Sequence, residues 1–60
     1  MTSGEHAMLS KAIELLKEHA KDSKNLEEYY AQLGDNFNVY TYGFEAEAYE
    51  YAIELLEDVL

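Results

Sequence analysis

A chain of sixty residues with no cysteine has only its own apolar side chains, or another molecule, to hold it folded. Neither a disulfide nor a thiolate zinc site is open to it. A domain this small removes about 60% of its unfolded surface from water. Burial at about 25 cal/mol per Å² then comes close to cancelling a conformational entropy cost of about 1.5 kcal/mol per residue. Of the usual supplements, association remains, so the chain is expected to meet another molecule. Hydrophobic residues make up 48% of the sequence, with no proline and with glycine only at positions 4, 34 and 43. That is the composition of a globular chain and not of a disordered one.

The pentapeptide Ala-Ile-Glu-Leu-Leu occurs twice, at residues 12–16 and 52–56, each time inside a helical pattern. Thr2-x-x-Glu5 has the spacing of a capping box. From there Met8, Leu9, Ala12, Ile13, Leu15, Leu16 and Ala20 gather on one side at 100° per residue. Lys11, Glu14, Lys17, Glu18 and Lys21 take the other side, where Glu14/Lys17 and Glu18/Lys21 are spaced to pair. Asp22-Ser23-Lys24-Asn25 reads as a polar break, and Asn25-x-x-Glu28 as a second start ahead of Leu26, Tyr29, Tyr30 and Leu33. Gly34 suits a helix end. Phe37-Asn38-Val39-Tyr40-Thr41-Tyr42 is β-branched and aromatic without helical spacing, which favours a strand or extended loop. After Gly43 the apolar pattern resumes through Ala48, Ala52, Leu55, Leu56 and Val59. The expectation is a mainly α single domain over residues 1–60. It would be a small bundle of three helices (about 4–22, 25–33 and 44–60) with a short strand-like or extended segment at 37–42.

The two pentapeptide copies differ in what surrounds them. All four lysines, at 11, 17, 21 and 24, lie in the first part of the chain, where Glu5, Glu14, Glu18 and Asp22 balance them. The remaining nine of thirteen acids follow Asn25 with no basic residue among them, so the net charge of −9 belongs to that part. In the third expected helix Glu47, Glu50, Glu54, Glu57 and Asp58 form a one-signed stripe. At about 1.5 Å per residue this sets one charge every 3 to 4 Å of axis, near the roughly 3.4 Å phosphate spacing of a DNA strand. The stripe is therefore expected to dock on a basic surface of a partner protein, such as a nucleic-acid-binding protein, without touching nucleic acid itself. The bland alternative is a face kept acidic for solubility.

No other constellation carries chemistry. His19 lies on the apolar face without the second ligand that Glu-x-x-His or His-x-x-x-His would supply, so a place at the edge of the core suits it better than a metal. Asp35-Asn36-Phe37-Asn38 lacks the glycine and terminal glutamate of a calcium loop. Ser10 and Ser23 have no local base. No catalytic residue, metal or cofactor is expected. Six tyrosines divide into Tyr29, Tyr30 and Tyr49 for packing and Tyr40, Tyr42 and Tyr51 for contact with another chain, tyrosine being favoured at interfaces.

In size, acidity and lack of catalytic groups the chain is similar to the small inhibitors that phages and mobile elements direct against nucleic-acid-handling host proteins. The likeness is one of composition and carries no residue assignments. It implies a non-enzymatic inhibitor or nucleic-acid mimic. The alternative is a self-assembling structural or regulatory subunit whose acidic face serves only solubility. A homodimer is expected in either case, through Ile53, Leu56 and Leu60 or through the 37–42 segments edge to edge. No apolar run approaches the roughly twenty residues of a bilayer span, and no basic start precedes a long apolar stretch. The expected location is therefore cytoplasmic, away from membranes.

Overall fold

The computed structural model describes residues 1–60 and contains two helices and no strand. Helix α1 spans Ser3–Gln32 and helix α2 spans Asn36–Val59. They lie side by side as an antiparallel hairpin. The chain is mainly α, as its periodicity implies, but the three-helix bundle and the extended segment give way to one long hairpin.

Local chemistry accounts for both ends of each helix. Thr2 caps α1: its hydroxyl accepts from the Glu5 N–H at 3.1 Å while the Glu5 carboxylate accepts from the Thr2 N–H at 3.4 Å. At the other end Gly34 takes φ 73°, a left-handed conformation open to glycine at no steric cost. The Gly34 N–H then donates to the Ala31 carbonyl at 3.1 Å and the Asp35 N–H to the Tyr30 carbonyl at 3.0 Å. These are the two bonds of a Schellman motif, and they satisfy carbonyls that the helix end leaves free. Asp35 at once caps α2, accepting from the Asn38 N–H at 3.2 Å and from the Asn38 side-chain amide at 2.6 Å. One helix therefore stops and the next starts within Leu33, Gly34 and Asp35.

Two expected interruptions are helical. Residues 22–25 continue α1 and residues 37–42 open α2. At the first, no residue is glycine or proline, so helix continuation costs a few tenths of a kcal/mol each. The packing seam also runs straight through, with Ser23 buried. Asn25-x-x-Glu28 is thus an interior sequence that only resembles a cap. At the second, the Asp35 cap starts the helix and packing outweighs strand propensity. Tyr42 stacks on Tyr30 with ring centroids 5.6 Å apart, and Val39 is half-buried beside it. The Thr41 hydroxyl donates to the Phe37 carbonyl at 3.0 Å. Gly43 ends nothing. It lies inside α2, where a Cβ would overlap the Glu27 carboxylate.

The seam follows a heptad. On α1 it runs Leu9, Ile13, Leu16, Ala20, Ser23, Glu27, Tyr30. On α2 it runs Val39, Tyr42, Ala46, Tyr49, Ile53, Leu56. Steps of four and three residues alternate throughout, and every one of these residues is buried or half-buried. Such spacing keeps one face of each helix against its neighbour. The dry centre is small: Ile13, Ala20 and Ile53 with Leu9, Leu16, Tyr49 and Leu56 around them. Each pentapeptide copy thus supplies one isoleucine to the same core.

Only five of sixty residues are buried. The molecule is a rod of 47 × 14 × 10 Å with a radius of gyration of 14.2 Å, where a compact chain of this length has about 10 Å. At about 1.5 Å per residue α1 is some 9 Å longer than α2, so its first turns overhang the hairpin.

Candidate protein-binding surface

The hairpin sorts the acidic residues by face. Glu50 and Glu57 lie at the edge where α2 meets α1, and each is taken by a lysine across the groove. Lys17 reaches Glu57 at 3.2 Å and Lys24 forms an ion pair with Glu50. The hydrogen bond to Glu50, followed by its charge, raises the pKa of the Lys24 ammonium above its ordinary value. Lys11 pairs with Glu14 at 3.5 Å. The Glu14/Lys17 pair expected from spacing does not form, because Lys17 finds its partner on α2 and Glu14 takes Lys11 instead, and Glu18/Lys21 does not form either. Exposed pairs of this kind, screened by solvent, contribute little to stability, yet they remove two charges from the proposed stripe.

Glu47, Glu54 and Asp58 face the opposite way. They belong to a run on the outer side of α2: Phe37, Tyr40, Phe44, Glu47, Tyr51, Glu54, Asp58. Steps of three and four alternate here too, so all seven share one face turned away from α1. Their exposure is high, with Phe37 at 78%, Tyr40 at 74% and Tyr51 at 67%. The Tyr40 and Phe44 rings stack at 6.4 Å. Beside them lies a shallow cleft of about 340 Å³ lined by Glu27, Val39, Tyr40, Gly43, Phe44 and Glu47. Gly43 opens its floor, and the two carboxylates flank the rings. The stripe is about 31 Å long, aromatic in its first half and mixed aromatic and acidic in its second.

The other expected contact residues divide. Tyr42 turns inward onto Tyr30. Tyr30 and Tyr49 pack between the helices, whereas Tyr29 is 56% exposed. His19 is exposed with its ring stacked on Tyr49 at 5.7 Å. The residues expected to form a dimer seam are placed otherwise: Ile53 is 8% exposed in the intrachain core, Leu56 packs against it, and Leu60 stands exposed at the end of α2. Phe37, Phe44 and Glu27 join the site although sequence reasoning did not place them there. Their signal is the three–four spacing, which an extended 37–42 segment conceals.

Charge spacing changes with this sorting. Five acids on one face would give a charge every 3 to 4 Å, but on the outer stripe Glu47 and Glu54 stand about 10 Å apart and Asp58 about 6 Å further on. The stripe therefore presents widely spaced carboxylates beside aromatic rings and not a phosphate-like row. No group of three or more His, Cys, Asp or Glu residues could hold a metal ion, and no helix is long and apolar enough to cross a membrane. Comparison with family models, with curated proteins and with solved structures returns no match.

Proposed function

We propose that this is a non-catalytic binding module whose α2 outer stripe docks on a basic surface of a partner protein and, by occupying it, competes with whatever else binds there. The supporting observation is the stripe itself: exposed rings share one face with unpaired carboxylates on a helix with no basic residue, while every cross-helix lysine is engaged on the other edge. Ring faces attract lysine and arginine cations within about 6 Å, with about 0.5–1 kcal/mol at exposed sites and more when water is excluded. The cleft between Tyr40, Phe44, Glu27 and Glu47 offers one such cation two carboxylates and two rings. Basic surfaces of this kind are what nucleic-acid-binding proteins present to phosphates, so an inhibitor of such a protein is the biological role that fits best.

The test compares three chains of matched fold. Glu47→Lys/Glu54→Lys reverses the stripe. Glu14→Lys/Glu18→Lys makes the same change in net charge on the outer side of α1. Pull-down from the source cells should lose a specific partner with the first variant and keep it with the second, and wild-type capture should weaken as salt rises. Equal capture by all three, or equal loss in both variants, would reduce the stripe to a solvated face.

A further inference from the structure

The edge of the hairpin opposite the lysine pairs is largely apolar on both helices, and most of its side chains have no partner within the chain. Lys17 and Lys24 mark one edge of α1, and residues two positions further on, His19 and Leu26, project about 160° away from them. Likewise Glu50 and Glu57 mark one edge of α2, while Ala52 and Val59 mark the other. Leu15 and Leu26 stand 44% and 38% exposed on this apolar edge, and Leu55 and Val59 stand 51% and 59% exposed. The edge lies away from the aromatic and acidic stripe of α2 and shares no residue with it, so the two surfaces are independent.

We infer that a second copy of this chain covers the apolar edge, giving a two-fold symmetric four-helix dimer. The spacing supports a self-partner. From Met8 to Leu33, α1 carries a second heptad whose steps alternate four and three residues and read the same from either end. Its midpoint falls between Ala20 and Lys21. Laid antiparallel on itself about that point, the stripe pairs Leu15 with Leu26 and His19 with Asp22 of the second copy. Further out, the bulky Tyr29 meets the small Ala12, and Met8 meets Leu33. The only charge in the stripe, Asp22, thus faces the only imidazole. An isologous interface requires this reciprocity.

Helix α2 meets the same requirement independently. Its apolar-edge positions from Thr41 to Val59 are also symmetric, about Glu50, and the same operation pairs Ala48 with Ala52 and Thr41 with Val59. Glu45 falls beside Leu55 at the rim, where its stem lies on apolar surface and its carboxylate stays in water. One axis serves both helices only if the two midpoints stand at one level along the rod. They do to within about a turn: the His19–Tyr49 stack and the Lys24–Glu50 pair set the α1 midpoint opposite α2 positions that bracket Glu50 on either side. Area agrees as well. The chain exposes 4580 Å², against about 4000 Å² for a compact chain of this mass. That excess is of the order of the roughly 800 Å² that one partner contributes to a standard interface.

Cross-linking tests the register. In a chain without cysteine, Leu15→Cys/Leu26→Cys puts the only thiols on one helix about 16 Å apart, too far for an internal disulfide, which needs Cα atoms within about 7 Å. Mild oxidation should convert the double variant almost completely to covalent dimer and leave each single variant unlinked. Sedimentation equilibrium of the unmodified protein should give twice the chain mass, with dimer favoured as salt screens the two charges of −9. Glu47→Lys/Glu54→Lys should still dimerise, at least as readily as wild type, because each reversal adds two positive charges to a chain of −9. A helical monomer at high micromolar concentration, or single variants that link as readily as the double, would overturn the inference.

Discussion

Alanine at Gly43 should stabilise the hairpin, and the same change at Gly34 should destabilise it. Gly43 lies inside α2 with an ordinary helical φ, and alanine is favoured over glycine there by about 1 kcal/mol. Its Cβ would overlap the Glu27 carboxylate, with the Glu27 Cδ at 3.3 Å. That carboxylate ends a flexible chain, and no ion pair ties it down. It has Lys24 one turn away as a favourable destination, since its charge already acts there. A flexible side-chain end can swing to another staggered rotamer, so moving it costs about 0.5 kcal/mol or less, at or below the lower end of the roughly 0.5–1.5 kcal/mol of a strained rotamer. The net gain is about 0.5–1 kcal/mol, or about 2–8 °C in melting temperature for a domain of this size. At Gly34 nothing lies within 4 Å of the position a Cβ would take, but φ is +73°. The left-handed conformation costs an L-residue roughly 1–2 kcal/mol, which lowers the melting temperature by at least about 4 °C. Thermal unfolding followed by circular dichroism, at one protein concentration because association shifts the midpoint, reads both. A fall at Gly43 as large as that at Gly34 would mean either that Glu27 cannot yield or that the helices need the bare backbone there. The Glu27→Ala background separates the two cases, since removing the carboxylate should then restore the full gain.

Ile53→Ala should cost about 2–5 kcal/mol through the cavity it leaves, as much as the 3–5 kcal/mol that a core this small supplies. The variant should lose most of its helical dichroism, and a fully helical, cooperatively melting variant would show that Ile53 is not held between α1 and α2. Glu50→Gln should lower the Lys24 pKa towards its ordinary value, measured by NMR titration of the ammonium. Because folding raises this pKa, the pair's stabilisation is complete below the unfolded lysine value, includes neutral pH, and disappears as pH rises through the folded value. Wild type and Glu50→Gln should therefore differ in stability at neutral pH and converge in strong alkali. An unchanged Lys24 titration would mean that the pair does not persist in solution.

What the sequence makes legible here is short-range. Thr2-x-x-Glu5 and Gly34 satisfy groups within a few residues of themselves, so their roles follow from spacing alone, as does the helical character of 4–22 and 44–60. What a short window hides is decided across the groove. Ser23 reads as part of a polar break and Glu27 as part of a separate short helix until the seam from Leu9 to Tyr30 is counted in heptads. Then their small or yielding side chains are what α2 needs opposite Ala46 and Gly43. Phe37 to Tyr42 has strand propensity, but the Asp35 cap and the Tyr30–Tyr42 stack act together against it, and neither is visible from the segment's own composition. The acidic stripe is the clearest case. Counting acids along the helix places five on one surface, but which of them a partner meets depends on where the lysines of α1 fall. With Lys17 and Lys24 on one edge, Glu57 and Glu50 are neutralised there. Glu47, Glu54 and Asp58 are left on the face that carries the exposed rings, so the proposed docking face is set by an ion-pair register that only the hairpin defines. The same register places the midpoints of the two apolar stripes at one level along the rod. A chain with too little core of its own thus has the edge proposed for self-contact on one side and its carboxylates and rings on another, so the proposed dimer would leave the proposed docking face free.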